Sequence, residues 1–380
     1  MLDKNKLYRW VDNCVGIPLC LLALPLSRFR QKKPSRYDKI LVIKFGTLGD
    51  AILLKPTLRT LRENFPLAHI AVLCSAANIE VFQNSPYLDE VMVIRFVSLV
   101  NPFYLLRLIR RIKKGQFNLT IDCEEWAKIP VLISFLAHAK ERVGFKTRGQ
   151  HKHYLFTKTV PHMQNKHELE CFLDLLKPLG LKTENRDIKL SPQQANIREA
   201  SRILADRKID SNFVILHSEV PAGSRQRQWP IENLAELGKQ LISRHKFKIL
   251  IIATEKGRFQ AERLNFLLGN QAELMISLPI LTVYAILEKA NFVVTNNTGF
   301  MHLAVSAGTR VFALHGPTSP LKWGPLNKES AVIKSELNCS PCLYLGFEYG
   351  CRTNRCMQQI TPQKVLEVIE RTIGCLSRAS

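Results

Sequence analysis

The chain has 380 residues, of which 46% are hydrophobic, so it is long enough for about two globular domains and is neither disordered nor fibrous. Its formal charge of +22 indicates an anionic partner: a nucleic acid, an anionic membrane surface or an anionic small substrate. Because the sequence has no RNP aromatics, zinc-finger spacing or heptad-backed basic region, we expect no nucleic-acid partner.

The amino terminus carries a strongly apolar run, Cys14–Leu26, followed by a basic cluster. The run is shorter than the roughly 20 apolar residues that span a bilayer, and Pro18 and Pro25 interrupt it. A signal peptide fits poorly, because no small-x-small cleavage site follows. We expect residues 1–37 to associate with an anionic cytoplasmic leaflet; the alternative is a helix that packs on the protein itself. The basic cluster consists of Arg28, Arg30, Lys32 and Lys33.

The next segment has the alternating pattern of an α/β domain. Lys39–Lys44 is predicted as a strand, residues 45–50 (FGTLGD) as a turn and Ala51–Phe65 as a helix. The turn lacks both GxxxxGK[ST] and GxGxxG, which argues against an ordinary NTPase or dehydrogenase. Asp50 stands where a carboxylate meets the ligand edge of a parallel sheet, so it is a candidate general base; the alternative is a helix N-cap. Further strands are predicted at Ile70–Cys74, Glu90–Ile94 and Leu119–Asp122.

Basic residues crowd the segment 140–158, where Glu141 is the only acidic residue. Two more arginines lie on the helix that follows Asp50. Such charges suit an anionic acceptor, and the alternative is a solubilising surface. The acceptor-binding candidates are Arg59, Arg62, Arg142 and Arg148.

After a polar stretch at residues 182–195 the α/β pattern restarts, which predicts two domains, 38–190 and 191–380. The strand Phe213–His217 leads into a loop with Arg225 and Arg227, whose guanidinium groups suit a phosphate; a solvated basic turn is the alternative. Glu255 follows the strand Lys248–Ala253, where an acidic residue accepts ribose hydroxyls, although surface glutamates are common in such loops.

The most informative segment is residues 291–317, where an apolar strand meets an Asn-Asn-Thr-Gly turn. Phe292–Thr295 is predicted as the strand, Phe300–Ala307 as a helix and Arg310–His315 as the next strand of a βαβ unit. Unsatisfied N–H groups and the helix dipole favour an anion at this turn, and a diphosphate is the natural candidate. One alternative is a strand-turn-helix connection of the kind found in any α/β domain. For His302, the alternative is a position in the core. The candidate residues are Asn297, Thr298, Gly299, Met301 and His302.

Ten cysteines in a chain of this length do not form a disulfide framework, and a reducing compartment is the simpler assumption. Four of them have the spacing C-x2-C-x8-C-x4-C, which offers four zinc ligands but does not match paired C-x2-C knuckles. A loop of reduced thiols is the alternative. These residues are Cys339, Cys342, Cys351 and Cys356.

Together the motifs resemble glycosyltransferase family 9, the ADP-heptose:lipopolysaccharide heptosyltransferases. The segments that carry the resemblance are FGTLGD, the loop ending in RQWP, ATEKG, TNNTGFMHLAVSAGTRVFALHGPTSPLKWGP and CSPC…C…CMQQIT, in that order. The resemblance implies an α/β GT-B fold, in which two Rossmann-like domains with parallel sheets face a central cleft. It also implies metal-independent, inverting transfer without a cofactor, and no zinc role for the cysteines.

Some site residues carry over from the family pattern. Asp50 matches the catalytic base, and Glu255 matches the acidic residue that contacts the donor nucleoside. Thr298, Gly299 and His302 match the donor-phosphate turn. Two positions depart from the pattern: Asn297 replaces a common aspartate, and Arg227 replaces a common phosphate-binding lysine.

The resemblance implies transfer of a heptose from ADP-heptose to a hydroxyl of a lipopolysaccharide inner-core acceptor, an anionic glycolipid. The expected location is cytoplasmic, with peripheral attachment to the inner membrane. The alternatives are a related transferase with another nucleotide sugar or with a protein or envelope-glycan acceptor, and a non-catalytic nucleotide-sugar-binding protein. A sensor of that kind needs the Asn-Asn-Thr-Gly turn but not Asp50.

Overall fold

The computed structural model describes residues 10, 12–27, 34, 36–95, 98, 101–209, 212–221, 223–345, 351 and 353–374. The chain divides into two compact units, Met1–Ile188 and Lys189–Ser380. The division lies close to the boundary predicted between residues 190 and 191.

The first unit is built on a six-stranded parallel sheet with the order β3-β2-β1-β4-β5-β6. Its central strand is buried along almost its whole length, as expected for a parallel strand covered on both faces. The strands are β1 (Lys39–Lys44), β2 (His69–Ser75), β3 (Glu90–Ile94), β4 (Leu119–Asp122), β5 (Glu141–Lys146) and β6 (Lys158–Pro161). The helices are α1 (Gly16–Ser27), α2 (Leu48–Leu53), α3 (Lys55–Asn64), α4 (Ile79–Phe82), α5 (Pro102–Gly115), α6 (Ile129–Leu136) and α7 (Glu168–Asp174).

The second unit repeats this plan with a six-stranded parallel sheet of order β12-β11-β10-β7-β8-β9. The strands are β7 (Phe213–His217), β8 (Lys248–Ala253), β9 (Ala272–Ile276), β10 (Val293–Asn296), β11 (Val311–His315) and β12 (Ala331–Lys334). The helices are α8 (Gln194–Asp206), α9 (Ile231–His245), α10 (Arg258–Leu267), α11 (Ile280–Leu287), α12 (Gly299–Ser306), α13 (Pro320–Trp323), α14 (Arg355–Gln358) and α15 (Pro362–Gly374). Short 3₁₀ turns lie at Arg225–Arg227 and Glu255–Gly257.

The predicted fold class, α/β with two Rossmann-like domains of the GT-B type, is confirmed by these two parallel sheets. One helix differs from the prediction. The single helix expected at Ala51–Phe65 is two helices, α2 and α3, because Pro56 stands in the first turn of α3 and has no N–H to continue the bonding of α2. The first of them begins before Asp50, so this residue lies in a helical turn.

The amino-terminal helix α1 packs on the first unit. Cys20 is buried in a cluster with Val131, Leu155 and Phe156, and the Lys128 backbone N–H donates to Asp12 Oδ1 at 2.9 Å. The opposite side of α1 exposes Leu19, Leu21 and Leu22. No helix among the described residues is long and apolar enough to cross a membrane. The basic cluster at residues 28–33 lies outside the described part of the chain.

Candidate active site and donor turn

Asp50 lies in the first turn of α2, directly beyond the carboxyl end of β1, and is 8% exposed. It is not the N-cap, because Thr47 occupies that position, and the alternative reading of Asp50 is therefore wrong. Its Oδ2 lies 3.3 Å from the Nζ of Lys44, the last residue of β1. Gly46 leaves room for this pair, since a Cβ there would lie 2.7 Å from Asp50 Oδ2 and 2.9 Å from Lys44 Nζ.

Lys44 is fully buried and is surrounded by carboxylates. Its Nζ donates to Glu125 Oε1 at 2.8 Å and to the Cys123 carbonyl at 3.2 Å, and it lies 3.4 Å from Glu124 Oε1. Burial alone lowers the Lys44 pKa, but Asp50, Glu124 and Glu125 outweigh burial and raise that pKa well above its ordinary value. Lys44 is therefore a permanent ammonium at the centre of the cluster.

Burial raises the pKa of Asp50, while Lys44 lowers it and the carboxylates of Glu168 and Glu124 raise it further. The net direction is upward, so the Asp50 carboxylate holds a proton more readily than an exposed aspartate. A buried carboxylate with a raised pKa, held by one cation, has the properties of a general base.

The turn between β1 and α2 is anchored by the acidic residues that follow β4. Glu124 Oε1 accepts hydrogen bonds from the backbone N–H groups of Phe45 at 2.6 Å and Gly46 at 2.8 Å. Lys152 pairs with Asp122 at 3.0 Å, and burial raises the Asp122 pKa to about 6 although Lys152 opposes it. The register places Ile43 beside Asp122, so the ends of β1 and β4 meet.

The supporting role of Lys44, Asp122, Glu124 and Glu125 was not predicted from the sequence. A usable signal was present, because Lys44 ends an apolar strand and three acidic residues, Asp122, Glu124 and Glu125, end or follow the neighbouring one. In a buried environment, charges of opposite sign at one sheet edge must pair.

The acceptor candidates separate into different environments. Arg142 is 5% exposed and donates to the carbonyls of Leu155 and Ala139, each at 2.8 Å. Its prediction as an acceptor-binding residue is corrected, because a buried guanidinium on β5 is occupied by main-chain acceptors. Arg62 is similarly engaged by the carbonyls of Pro66 and Ala68 and by Asp89. Arg59 pairs with Glu63 at 2.7 Å, and Arg148 is exposed.

In the second unit, the Asn-Asn-Thr-Gly turn joins β10 to α12, with Thr298 as the extended N-cap. The Thr298 Oγ1 is buried and has no hydrogen-bond partner among the described residues. Since the first N–H groups of a helix have no partner within it, the turn offers both backbone and hydroxyl donors. The Met301 N–H donates to the Thr298 carbonyl at 3.1 Å within the first turn of α12, and its role as a phosphate-binding amide stays a prediction. His302 is buried on the same helix.

Asn297, where the family commonly has aspartate, holds this turn in place. Its amide nitrogen donates to the Trp323 carbonyl at 2.9 Å and lies 3.2 Å from His315 Nε2. An aspartate has no N–H to make the first of these bonds. The neighbouring Asn296 accepts the Trp229 backbone N–H at 2.9 Å, which ties the arginine-containing loop to the end of β10.

Arg225 and Arg227 lie on one 3₁₀ turn but in different surroundings. The Arg227 Nε is buried without a hydrogen-bond partner among the described residues, and its charge lowers the pKa of His315, which contacts Asn297. Arg227 is therefore close to the Asn-Asn-Thr-Gly turn. Arg225 is exposed and lines an open cavity of about 530 Å³, together with Trp229 and mostly polar residues. Glu255 is exposed, pairs with Arg258 at 2.6 Å and accepts the Ser277 hydroxyl at 3.3 Å.

Two histidines that the sequence analysis missed end the strands on either side of β10. The His217 ring stacks on Phe300 of α12, with ring centroids 3.9 Å apart, and its Nδ1 lies 3.2 Å from Thr295 Oγ1. Burial lowers the pKa of His217 to about 3 and that of His315 to about 4. Both are therefore neutral supports of the turn, and their signal was a histidine closing each of two apolar strands, FVILH and VFALH.

The four cysteines near the carboxyl terminus are free thiols. Cys356 is buried against Gly316, and burial raises its pKa, as do Cys351, Cys342 and Cys339 nearby. Among the described residues, three potential metal ligands lie within 4.8 Å of one another at His162, Glu168 and Cys171. Protein contacts already engage all three, since His162 Nε2 lies 3.0 Å from Glu168 Oε1 and the Cys171 thiol donates to the Met163 carbonyl.

Residues 105–351 match the sequence model of glycosyltransferase family 9 (heptosyltransferase). The chain therefore belongs to glycosyltransferase family 9, and the predicted family is confirmed. It is 24% identical over 331 residues to lipooligosaccharide heptosyltransferase 2 of Campylobacter jejuni, covering 84% of this chain and 93% of that protein.

Two solved structures share the fold. The family 9 glycosyl transferase of Veillonella parvula superposes with a TM-score of 0.75 at 18% identity, covering 89% of this chain and 98% of that one. The E. coli ADP-heptose lps heptosyltransferase II superposes with a TM-score of 0.69 at 19% identity, covering 90% and 100%.

Proposed function

We propose that the protein transfers a heptose from ADP-heptose to a hydroxyl of a lipopolysaccharide inner-core acceptor, with inversion at the anomeric carbon. Membership of family 9 and similarity to a lipooligosaccharide heptosyltransferase and to an ADP-heptose lps heptosyltransferase support the heptosyl donor and the lipopolysaccharide acceptor. The observation that carries the proposal is the buried Asp50 at the end of β1, paired with Lys44. A protein that only binds a nucleotide sugar has no need of such a pair.

In the proposed reaction, Asp50 accepts the proton of the acceptor hydroxyl while that oxygen attacks the anomeric carbon. The new C–O bond forms on the face opposite ADP, and the bond from the anomeric carbon to the diphosphate oxygen breaks. Lys44 opposes the rise of the Asp50 pKa and so favours the ionised carboxylate, which is the form that accepts a proton.

The departing ADP needs neutralisation of its developing charge, and the second unit offers groups for this. The Thr298 hydroxyl, the first N–H groups of α12 and the Arg227 guanidinium lie around the Asn-Asn-Thr-Gly turn. Each well-placed donor contributes about 3 kcal/mol, by analogy with oxyanion-hole donors. We assign Arg225 and His302 to the same donor site, and Glu255 to the ribose hydroxyls.

For the acceptor, we propose Arg148 and Arg59 as contacts to anionic groups, since both are at least partly exposed. Replacement of Arg148 by glutamate is expected to raise the acceptor KM. An unchanged KM would favour the solubilising role.

We further propose that the enzyme works at the cytoplasmic face of the inner membrane, with residues 1–37 in peripheral contact with lipid. The exposed leucines of α1 support this, because the other side of the helix is already packed on the protein.

The test is incubation of the purified protein with a panel of nucleoside diphosphate sugars, with and without truncated lipopolysaccharide acceptors. Nucleoside diphosphate release and acceptor mass are measured together. ADP release that requires acceptor and adds a heptose mass is the expected result. Transfer of another sugar, or to a protein or other glycan, would favour the related transferase, and donor binding without transfer would favour the sensor.

A further inference from the structure

Helix α5 has a buried side and an outward side of very different chemistry. Leu108 and Ile112 pack into the core of the first unit together with Leu41 and Ile43 of β1. The helix begins at Asn101, whose side chain accepts the N–H groups of Phe103 and Tyr104. These contacts fix which residues of α5 face solvent.

The outward side combines apolar residues at the amino end with cations toward the carboxyl end. Phe103 is 80% exposed and Leu106 is 50% exposed, although both are large and apolar. The spacing i, i+3, i+4, i+7, i+10, i+11 places these two on one face with four cations. The cations are Arg107, Arg110, Lys113 and Lys114.

The outward face of α5 carries positive charges without neighbouring negative charges on the same helix. Helix α5 contains no acidic residue. Arg111 pairs with Glu90 at 2.6 Å, but the four outward cations make no ion pair with any residue that the structure describes. Exposed aromatic and aliphatic side chains beside unpaired cations are the composition of a helix that lies at the surface of an anionic bilayer.

A second apolar surface lies on the same layer of the first unit. Helices α1 and α5 both pack against α6. On α1, Leu22 is 73% exposed and Leu21 is also exposed. The fold therefore presents two helices with uncovered apolar side chains around one shared neighbour.

We propose that α5, together with α1, forms a docking surface for an anionic phospholipid bilayer. Phe103 and Leu106 enter the interfacial region, and the four outward cations of α5 contact lipid phosphates. This inference deepens the proposed membrane association of the enzyme, but it rests on exposed residues of α5 that have no part in the transfer chemistry.

The test measures co-sedimentation of the full chain with vesicles of phosphatidylcholine alone or mixed with phosphatidylglycerol, without donor or acceptor. Wild-type protein is expected to bind the anionic vesicles and to be released by salt. The triple variant Arg107→Gln, Arg110→Gln, Lys114→Gln is expected to bind at least about tenfold more weakly, since each cation near an anionic surface adds measurable affinity. The double variant Phe103→Ser, Leu106→Ser is expected to weaken binding even at low salt.

A matched control lies on α10 in the second unit, where Phe259 and Phe266 are 71% and 73% exposed. Their replacement by serine is expected to leave vesicle binding unchanged, because α10 also carries Glu262, which pairs with Arg258. Circular dichroism of every variant checks that the fold is retained.

Unchanged vesicle binding in both α5 variants would overturn the proposal. So would binding to heparin or duplex DNA that matches vesicle binding and ignores Phe103→Ser, because this would show a general polyanion surface. Transfer to a soluble truncated acceptor, measured in parallel, separates the outcomes: transfer without vesicle binding refutes the docking surface alone, and vesicle binding without transfer refutes the proposed reaction alone.

Discussion

At the scale of single residues, the candidate base depends on charges that are buried together. Lys44 is shared by Asp50, Glu124 and Glu125, so the position of each carboxylate depends on one ammonium. Burial raises the pKa of Glu125 well above its usual range, although Lys44 opposes this. Changing one member therefore alters the others.

Replacement of Asp50 by asparagine is expected to lower kcat by about 10²–10⁴-fold while the donor Kd is retained, because the variant keeps the shape but cannot accept a proton. Steady-state kinetics and calorimetric titration with the nucleotide-sugar donor, without acceptor, measure the two quantities. Unchanged turnover would remove Asp50 from the mechanism.

Replacement of Lys44 by methionine is expected to move the acidic limb of the pH–rate profile to higher pH. Lys44 lowers the Asp50 pKa, and without it more alkaline conditions are needed to ionise the base. Lys44→Arg, which keeps the charge, is the control, and its acidic limb is expected to lie close to that of the wild-type protein. Removal of one buried partner also costs about 3–5 kcal/mol of stability, so thermal unfolding must accompany the assay. An unmoved limb in a folded Lys44→Met protein would contradict this role.

At the scale of elements, the junction of β10 and α12 is a rigid unit fastened at several points. Asn296 accepts the Trp229 backbone N–H, Asn297 donates to the Trp323 carbonyl, and His217 stacks on Phe300. These contacts come from segments distant in the sequence, and they fix the N-terminus of α12 without a ligand. A donor turn that is ordered in advance binds a diphosphate without the loss of entropy that ordering would cost.

The variant Asn297→Asp tests this arrangement, since it restores the residue common in the family. We expect it to lower stability by about 1–3 kcal/mol, because a carboxylate faces the Trp323 carbonyl without a hydrogen to donate. Denaturant unfolding and the donor Kd measure the effect. The comparison is Asn265→Asp in the same unit, because the Asn265 side-chain oxygen accepts the Ala272 N–H and an aspartate keeps that bond. Full stability together with tighter donor binding would show that the amide is not needed here.

At the scale of the whole molecule, the two units are expected to respond to acid in opposite directions. In the second unit, burial lowers the His217 pKa to about 3 and the His315 pKa to about 4, below the ordinary 6.5. Their contribution to stability is complete above pH 6.5 and is lost as the pH falls toward those values. In the first unit, burial raises the Asp122 pKa to about 6 from 3.8, so the folded state binds the proton first and gains stability as the pH falls from 6.

Scanning calorimetry at about pH 7.5 and about pH 4.5, roughly 1.5 pH units above and below the Asp122 pKa of about 6, is therefore expected to separate the unfolding of the two units. The second unit is expected to become the less stable at the lower pH. His217→Gln is expected to reduce the acid sensitivity by about 1.4 kcal/mol per pH unit. His245→Gln, on a partly exposed histidine of α9, serves as the control. Equal acid sensitivity of both histidine variants would contradict the assignment.

The prediction from sequence succeeded where the evidence was local. Hydrophobic periodicity and turn-forming residues were enough to locate segments that each span only a few residues. These segments are the apolar strands KILVIK and FVILH, the FGTLGD turn and the Asn-Asn-Thr-Gly turn. It failed at the break between α2 and α3, where Pro56 ends one helix and begins the next.

The local patterns of the chain were sufficient for the α/β class, the repeated domain plan, the family and the positions of Asp50 and the Asn-Asn-Thr-Gly turn, because parallel strands place such turns at one edge. The partners of those residues required the folded chain. Lys44 meets Glu124 and Glu125 across β1 and β4, and Arg142 is buried against the carbonyls of Leu155 and Ala139. Whether a charged side chain serves a ligand or the protein itself depends on burial and on contacts between distant segments, and neither is encoded in the spacing of neighbouring residues.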